Sequence, residues 1–253
     1  LGWNNFLEAF FSPYCEKGFS AGRVAVQHRE RYVLYTERDE VWAHVSGKFR
    51  HESTASHDFP AVGDWVVLQR GPEDSEGTIH AVLERRSKIS RKVAGVKTEE
   101  QVLATNIDVV FLVMGLDGNF NVRRLERSLA LAWESGAQPV VVLNKADACE
   151  TLEECVSETR EAAPGTSVVI MSATKKDGID EFQSFLPAGK TGVLIGSSGV
   201  GKSTITNLLL GKNRQPVAEV RSTDSRGRHT TTRRELMVLP NGGMIIDSPG
   251  IRE

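Results

Sequence analysis

The 253-residue chain is poor in cysteine, with only Cys15, Cys149 and Cys155. Three thiols without disulfide or metal spacing argue against a disulfide framework and suit a reducing cytosol. Long hydrophobic runs are missing too. No apolar stretch approaches the ~18 residues of a membrane span, and no signal-peptide pattern opens the chain. A cytoplasmic monomer with no membrane partner is therefore expected. Neither charge sign dominates: 31 Lys and Arg face 33 Asp and Glu, a formal net charge of −2. Bulk electrostatics thus gives no general pull toward nucleic acid, and any basic surface must be local. With 40% hydrophobic and 25% charged residues, the chain has room for one large domain or two modest ones, each with a proper core.

Against that plain background one stretch stands out. Gly196-Ser197-Ser198-Gly199-Val200-Gly201-Lys202-Ser203 completes the phosphate-loop pattern G-x-x-x-x-G-K-S/T. An apolar run, Gly192–Ile195, precedes it, and a helical stretch, Thr204–Leu210, follows. Strand, loop and helix in that order are the context the motif requires. The glycines let successive backbone N–H groups turn inward around a phosphate, and the helix N-terminus adds its positive end. Lys202 is expected at the outer phosphates, as a catalytic as well as a binding group. Ser203 is expected on magnesium, with Thr204 beside it. The alternative, a glycine-rich turn before a core helix, explains neither the complete pattern nor its flanks.

Asn144-Lys145-Ala146-Asp147 follows the apolar Pro139–Leu143. This is the N-K-x-D pattern of guanine recognition. A carboxylate at Asp147 would accept from guanine N1–H and from the N2 amino group, whereas adenine would leave it unpaired. Sites built on such hydrogen bonds discriminate by about four orders of magnitude. Lys145 would cover the base plane and Asn144 would brace neighbouring loops. Ser172-Ala173, after the next apolar run, fits the short loop whose backbone N–H meets guanine O6. Asp247-Ser248-Pro249-Gly250 matches D-x-x-G, with Asp247 acting on magnesium through water and the Gly250 amide sensing the γ-phosphate. Between these, Arg226–Arg234 occupies the place of a first switch loop. Thr231 or Thr232, of the run Thr230–Thr232, would complete the magnesium shell.

Around these motifs the chain divides into four parts. Residues 1–20 carry Trp3, Phe6, Leu7, Phe10 and Phe11 at helical spacing before Pro13 stops the pattern. Residues 21–86 hold five short strand-like runs separated by turn residues, the texture of a small closed all-β barrel, OB-like or SH3-like. Such a barrel either binds RNA through a strand face or is simply structural. Residues 87–104 read as a basic linker: no acid interrupts Arg85, Arg86, Lys88, Arg91, Lys92 and Lys97 before Glu99. It is either solvated or a phosphate-backbone contact. From 105 to 253, strand and helix alternate as in a doubly wound, mostly parallel α/β domain. There Asn121 is expected to cap a helix with Leu125, Leu129, Ala132 and Trp133 on its inner stripe, and Thr151 with Glu154 to form a capping box.

In ordinary small GTPases the phosphate loop comes first and the base-reading box late. Here the order is base box, Ser-Ala loop, phosphate loop, first switch, D-x-x-G. The fold expected is thus a circularly permuted P-loop GTPase domain preceded by an OB-like barrel. Permutation is permissible because the site is assembled from loops at one sheet edge, whichever loop is cut. Together with Asn119-Phe120-Asn121, Arg124-Leu125-Glu126-Arg127, Gly227–Thr232 and Pro60–Val66, these motifs resemble the ribosome-small-subunit-dependent GTPase A (RsgA, YjeQ) family from about residue 20 to 253. The resemblance implies a bacterial, cytoplasmic GTPase that binds GTP or GDP with Mg2+ and acts with the small ribosomal subunit and its rRNA in late maturation. It also implies a C-terminal zinc-binding Cys/His domain, for which this sequence holds no ligand set.

The position after Gly250, where many GTPases place a water-orienting Gln, is Ile251. Isoleucine cannot hydrogen-bond water, so intrinsic turnover is expected to be slow. His229 is the candidate water-orienter; the competing role for it is contact with RNA or solvent. Arg226 and Arg228 serve either the γ-phosphate or rRNA. A non-catalytic RNA-binding scaffold stabilised by GTP is the alternative function, and an ATP-dependent enzyme is disfavoured by Asp147.

Overall fold

The structure, a computed structural model, describes residues 1–72, 76–93, 99–211 and 234–247. The chain opens with α1 (Asn5–Cys15), capped by the Asn4 side chain, which accepts from the Leu7 amide. Leu7 and Phe11, one turn apart, are buried against Trp65, Val67 and Leu83, whereas Phe6 and Phe10 stack together on the exposed side. Pro13 does not stop this helix. It lies in the last turn, where its missing N–H removes one hydrogen bond.

Five strands then close a barrel: β1 (Ser20–Gln27), β2 (Tyr32–Tyr35), β3 (Glu40–Val45), β4 (Trp65–Gln69) and β5 (Gly77–Val82). Their order is β1-β2-β3-β5-β4 and back to β1, with β3 and β5 parallel and every other pair antiparallel. Period-2 alternation decides which side chains go where. On β4, Val66 and Leu68 join Val24, Leu34, Val45 and Ile79 inside the barrel, while Trp65 and Val67 lie under α1. A short helix, α2 (Gly47–Glu52), capped by Ser46, leads out of β3.

The stretch expected as a linker is a hairpin instead, of β6 (Lys88–Val93) and β7 (Glu99–Thr105). Ile89, Leu103 and Ala104 bury themselves in the main core, which a solvated linker would not do. Its charges are partly matched across the ladder: Lys88 pairs with Glu100 at 2.8 Å, and Arg91 donates to Gln101 at 2.9 Å.

The remaining strands form the nucleotide sheet: β8 (Val109–Gly115), β9 (Gln138–Asn144), β10 (Ser167–Ile170), β11 (Thr191–Ile195), β12 (Glu235–Val238) and β13 (Met244–Asp247). The order is β10-β9-β8-β11-β13-β12, parallel except for β12. Both faces are covered, so the strands are apolar throughout. Val110, Leu112 and Met114 of β8 meet Leu125, Leu129 and Ala132 of α3 (Val122–Glu134), on the side that also carries α4 (Leu152–Ala162). Val109, Phe111 and Val113 face α5 (Ile179–Ser184) and α6 (Lys202–Leu210), with Phe111 and Phe182 stacked 4.0 Å apart.

Two local expectations fail here. Trp133 is 61% exposed, and Ser128 takes the fourth buried place on α3. Thr151 precedes α4 but its side chain forms no capping bond, so the expected capping box is absent. Asn121 does cap α3, accepting from the Arg124 amide at 2.9 Å.

Barrel and sheet are joined at several points, among them the Thr105 amide, which donates to the Val62 carbonyl. Strand β1 pairs with β12 at Val26 and Glu235. Arg23, only 1% exposed, reaches across: it donates to the Gly63 and Asn106 carbonyls, to Thr191 Oγ1 at 2.9 Å and to Met244 Sδ. Burial pushes its pKa down to about 10, which leaves the guanidinium charged at neutral pH.

Candidate nucleotide site

In a parallel sheet the loops after the strands' carboxyl ends form the binding crevice. Four sequence motifs start there: Asn144 ends β9, Ser172 follows β10, Gly196 follows β11 and Asp247 ends β13.

The phosphate loop lies tightly against its neighbours. Gly196 has φ 154, and a Cβ there would stand 2.3 Å from the Val113 carbonyl oxygen. Gly201, with φ 102, leads into α6, and a Cβ there would meet Asn144 Nδ2 at 2.2 Å. These positions tolerate only glycine, for reasons of backbone conformation and of close approach. Lys202 Nζ donates to the loop's own Gly196 and Ser197 carbonyls, at 2.6 and 2.7 Å. Its ammonium is thus already held across the mouth of the loop. Val200 is buried under it, while Ser198 and Gly199 are exposed and Ser203 and Thr204, in the first turn of α6, are half-buried.

Asn144 is the hub. It is 2% exposed, its Oδ1 accepts from the Ala173 amide at 3.1 Å, and its Nδ2 donates to the Val200 carbonyl at 2.8 Å. One buried side chain therefore ties the base box to both the Ser-Ala loop and the phosphate loop. The Ala146 amide adds a bond to the Met171 carbonyl. Lys145 adopts a left-handed backbone, φ 67, which sends the chain into a tight turn over 146–148. Asp147, within that turn, is exposed. Ser172 is buried, its hydroxyl accepting from the Lys175 amide and lying 3.1 Å from Thr174 Oγ1.

Asp247 is 6% exposed. Its strand lies beside β11, so it shares the sheet edge from which the phosphate loop springs. A serine hydroxyl and a carboxylate are hard oxygen donors of the kind magnesium takes beside phosphate oxygens and water. The glycine cradle at a helix N-terminus supplies the anion-binding half of such a site. The donor chemistry therefore fits a magnesium nucleotide. Among the described residues no group of three or more His, Cys, Asp or Glu is gathered to hold a metal, so zinc has no ligand set there. His229, Thr231, Thr232 and Gly250 lie outside the described residues, as do Arg226, Arg228 and Ile251.

Asp117 escaped the motif reading, and Asn119 and Arg124 were singled out only as part of the family resemblance, with no role assigned. Asp117 carries the ion pair to Lys145 Nζ. Asn119 and Arg124 both donate to the hydroxyl of Ser197 in the phosphate loop. All three sit in or beside a short turn between a buried strand and a capped helix, and neither a turn nor a family motif says which loop it will touch.

The RsgA GTPase family matches residues 82–253. The small ribosomal subunit biogenesis GTPase RsgA of Opitutus terrae is 46% identical, over 100% of this chain and 71% of that protein. The protein of the same name from Methanosarcina acetivorans is 41% identical, over 100% of this chain and 67% of its own length. Among solved structures, YjeQ from Thermotoga maritima shares 24% identity and a TM-score of 0.70, covering 93% of this chain and 77% of that one. YloQ, described as a circularly permuted GTPase, shares 22% identity and a TM-score of 0.64. These two likenesses speak for the fold, a circularly permuted GTPase sheet with a closed five-stranded barrel. With its phosphate loop, its base box and its relatives above 40% identity, the chain belongs to the RsgA GTPase family.

Proposed function

We propose that this protein binds GTP with Mg2+ and hydrolyses it to GDP and phosphate, coupled to binding and late maturation of the small ribosomal subunit. The observation that carries the reading is Asn144. Its two bonds make the guanine-reading box, the Ser-Ala loop and the phosphate loop one rigid unit, as a guanine triphosphate site requires. Asp147 would accept from the guanine N1–H and N2 amino group; for O6 to meet the Ser-Ala loop, the Ala173 amide would have to share or release its bond to Asn144 Oδ1. Lys202 would exchange its loop carbonyls for phosphate oxygens. Ser203 and Asp247 would hold magnesium, one directly and the other through water, with Thr231 or Thr232 completing the shell. Magnesium, when bound with the nucleotide, draws off charge developing on the phosphoryl oxygens.

Because Ile251 cannot orient water, His229 is assigned that task from the first switch. His229→Ala should abolish subunit-stimulated turnover while GTP binding holds; unchanged turnover would remove His229 from the mechanism. The ribosomal coupling rests on the names of the relatives and on the barrel. On its rim an exposed Trp42 stacks with His28, 5.2 Å apart, beside Arg29, Glu30 and Arg31, the last paired with Glu76; the stacked rings offer a platform for RNA bases. No helix among the described residues is long and apolar enough to cross a membrane; the reading places the protein in the cytoplasm as a monomer. The direct test is GTP turnover with and without purified small subunits, with ATP as control. Strong, GTP-specific stimulation is expected, and equal use of ATP would end the guanine reading.

A further inference from the structure

The turn between β8 and α3 is placed to act on the phosphate loop. Strand β8 ends at Gly115, which is packed so closely that a Cβ would lie 2.8 Å from Asp117 Oδ1 and 3.5 Å from Val200 Cα. The chain then turns, and Asn121 starts α3. Arg124, in the first turn, points back over the cap. Its Nη1 lies 3.0 Å from Asn119 Oδ1, 3.3 Å from the Asn119 carbonyl oxygen and 3.2 Å from Ser197 Oγ. Asn119 Nδ2 lies 3.3 Å from the same Ser197 oxygen. The Ser197 hydroxyl thus accepts from two side chains that also hold each other.

The charge is in an unusual place. Helix N-termini carry partial positive charge and favour acids, yet the first turn of α3 has no acid and contains Arg123 and Arg124. The loop that Arg124 grips is the one built to receive phosphates.

Resting on the guanine-triphosphate reading of this site, we infer that Asn119 and Arg124 form a positioning clip that fixes the phosphate loop through Ser197 and sets affinity for the di- and triphosphate. The clip does not touch the reacting atoms. It holds the first turn of the loop in the conformation that aims its N–H groups inward, so less ordering remains when phosphate binds. A charged donor on a neutral acceptor is among the stronger hydrogen bonds. The same turn holds Lys145 through Asp117, so phosphate loop and base box are steadied from one short segment.

The test is a double-mutant cycle on the full chain, read by GDP and GTP dissociation rates and steady-state turnover. Arg124→Ala should weaken both nucleotides about tenfold, chiefly through faster dissociation, raising KM with kcat nearly unchanged. Ser197→Ala should do the same, and the double variant should be no worse than either single. Asn119→Ala, which leaves the charge in place, should have a smaller effect of the same sign. Arg124→Lys should recover only part, since one ammonium lacks the guanidinium's fork. Wild-type nucleotide affinity in Arg124→Ala would overturn the clip. Additive losses in the double variant would also overturn it, showing that Arg124 acts on the phosphates directly. Absence of guanine-nucleotide binding by the wild type would instead sink the underlying reading of the site.

Discussion

Buried polar side chains serve different ends in the barrel and in the nucleotide sheet. In and around the barrel, Arg23, Asp64 and Arg85 tie pieces of chain together. Asp64, fully buried, takes two bonds from Arg85 and one from the Ala61 amide, while Arg85 also reaches the His57 and Phe59 carbonyls. Arg23 does the same between the two bodies. In the nucleotide sheet, Asn144, Ser172 and Asp247 gather at a single edge, and the side chains of Asn144 and Ser172 bond to loops. The bonds of Arg23, Asp64, Arg85, Asn144 and Ser172 meet the need of buried polar groups for partners. What separates the two sets is whether the partner is scaffold or a loop that faces a ligand. Buried polarity alone does not mark a site; its convergence at the carboxyl edge of a parallel sheet does.

That contrast can be broken at four points. Arg23→Met should have the largest effect, a loss of about 3 kcal/mol or more, because it strips partners from buried carbonyls and from Thr191 at once. Urea unfolding should show it as a lower midpoint, with β1 still paired to β12; an unshifted transition would contradict the role given to Arg23. Asn144→Ala is next. Removing two buried bonds from the hub should weaken GTP by roughly 2–3 kcal/mol, or about a hundredfold, measured by calorimetry, while costing less in stability than Arg23→Met. A variant that unfolds before it loses nucleotide would place Asn144 with the scaffold residues.

Asp147→Asn should sharpen the site side of the comparison. An amide at position 147 can donate to a C2 carbonyl, so affinity should move from guanine toward xanthine nucleotides by an order of magnitude or more, with melting temperature unchanged because Asp147 is exposed. Competition binding with both nucleotides reads this directly. Trp133→Gln should do least, within about 0.5 kcal/mol of wild type in thermal unfolding, since the ring is mostly in solvent. A larger loss would mean that Trp133 is packed after all.

The phosphate loop, the base box and the Asp247 that opens D-x-x-G were legible at the strand ends because each motif is short, contiguous and chemically constrained. Glycines at 196 and 201 are demanded by backbone geometry, and the catalytic groups sit at fixed offsets from them. The five barrel strands and the six sheet strands were legible for a similar reason, since period-2 alternation and continuous apolar runs each report one kind of environment. Trp133 was misplaced because a helical stripe is about 100° wide, and a residue at its border is decided by what packs opposite. The hairpin at 88–105 was missed because its charges suggested solvent, whereas Lys88 and Arg91 are matched by Glu100 and Gln101 across a ladder that only pairing reveals.

By itself, the sequence determined the chemistry on offer: a glycine cradle for phosphate, a carboxylate for guanine, hard oxygens for magnesium, and the permuted order in which they come. Those are local properties, set by residue type and spacing along a few consecutive positions. The tertiary structure decided which of these groups meet. It closed the barrel through β1 and β4, buried Arg23 between two bodies, made Asn144 the joint of three loops and set Arg124 on Ser197. Such contacts join residues tens to hundreds of positions apart, and their existence depends on sheet order and packing, which no short stretch of sequence encodes.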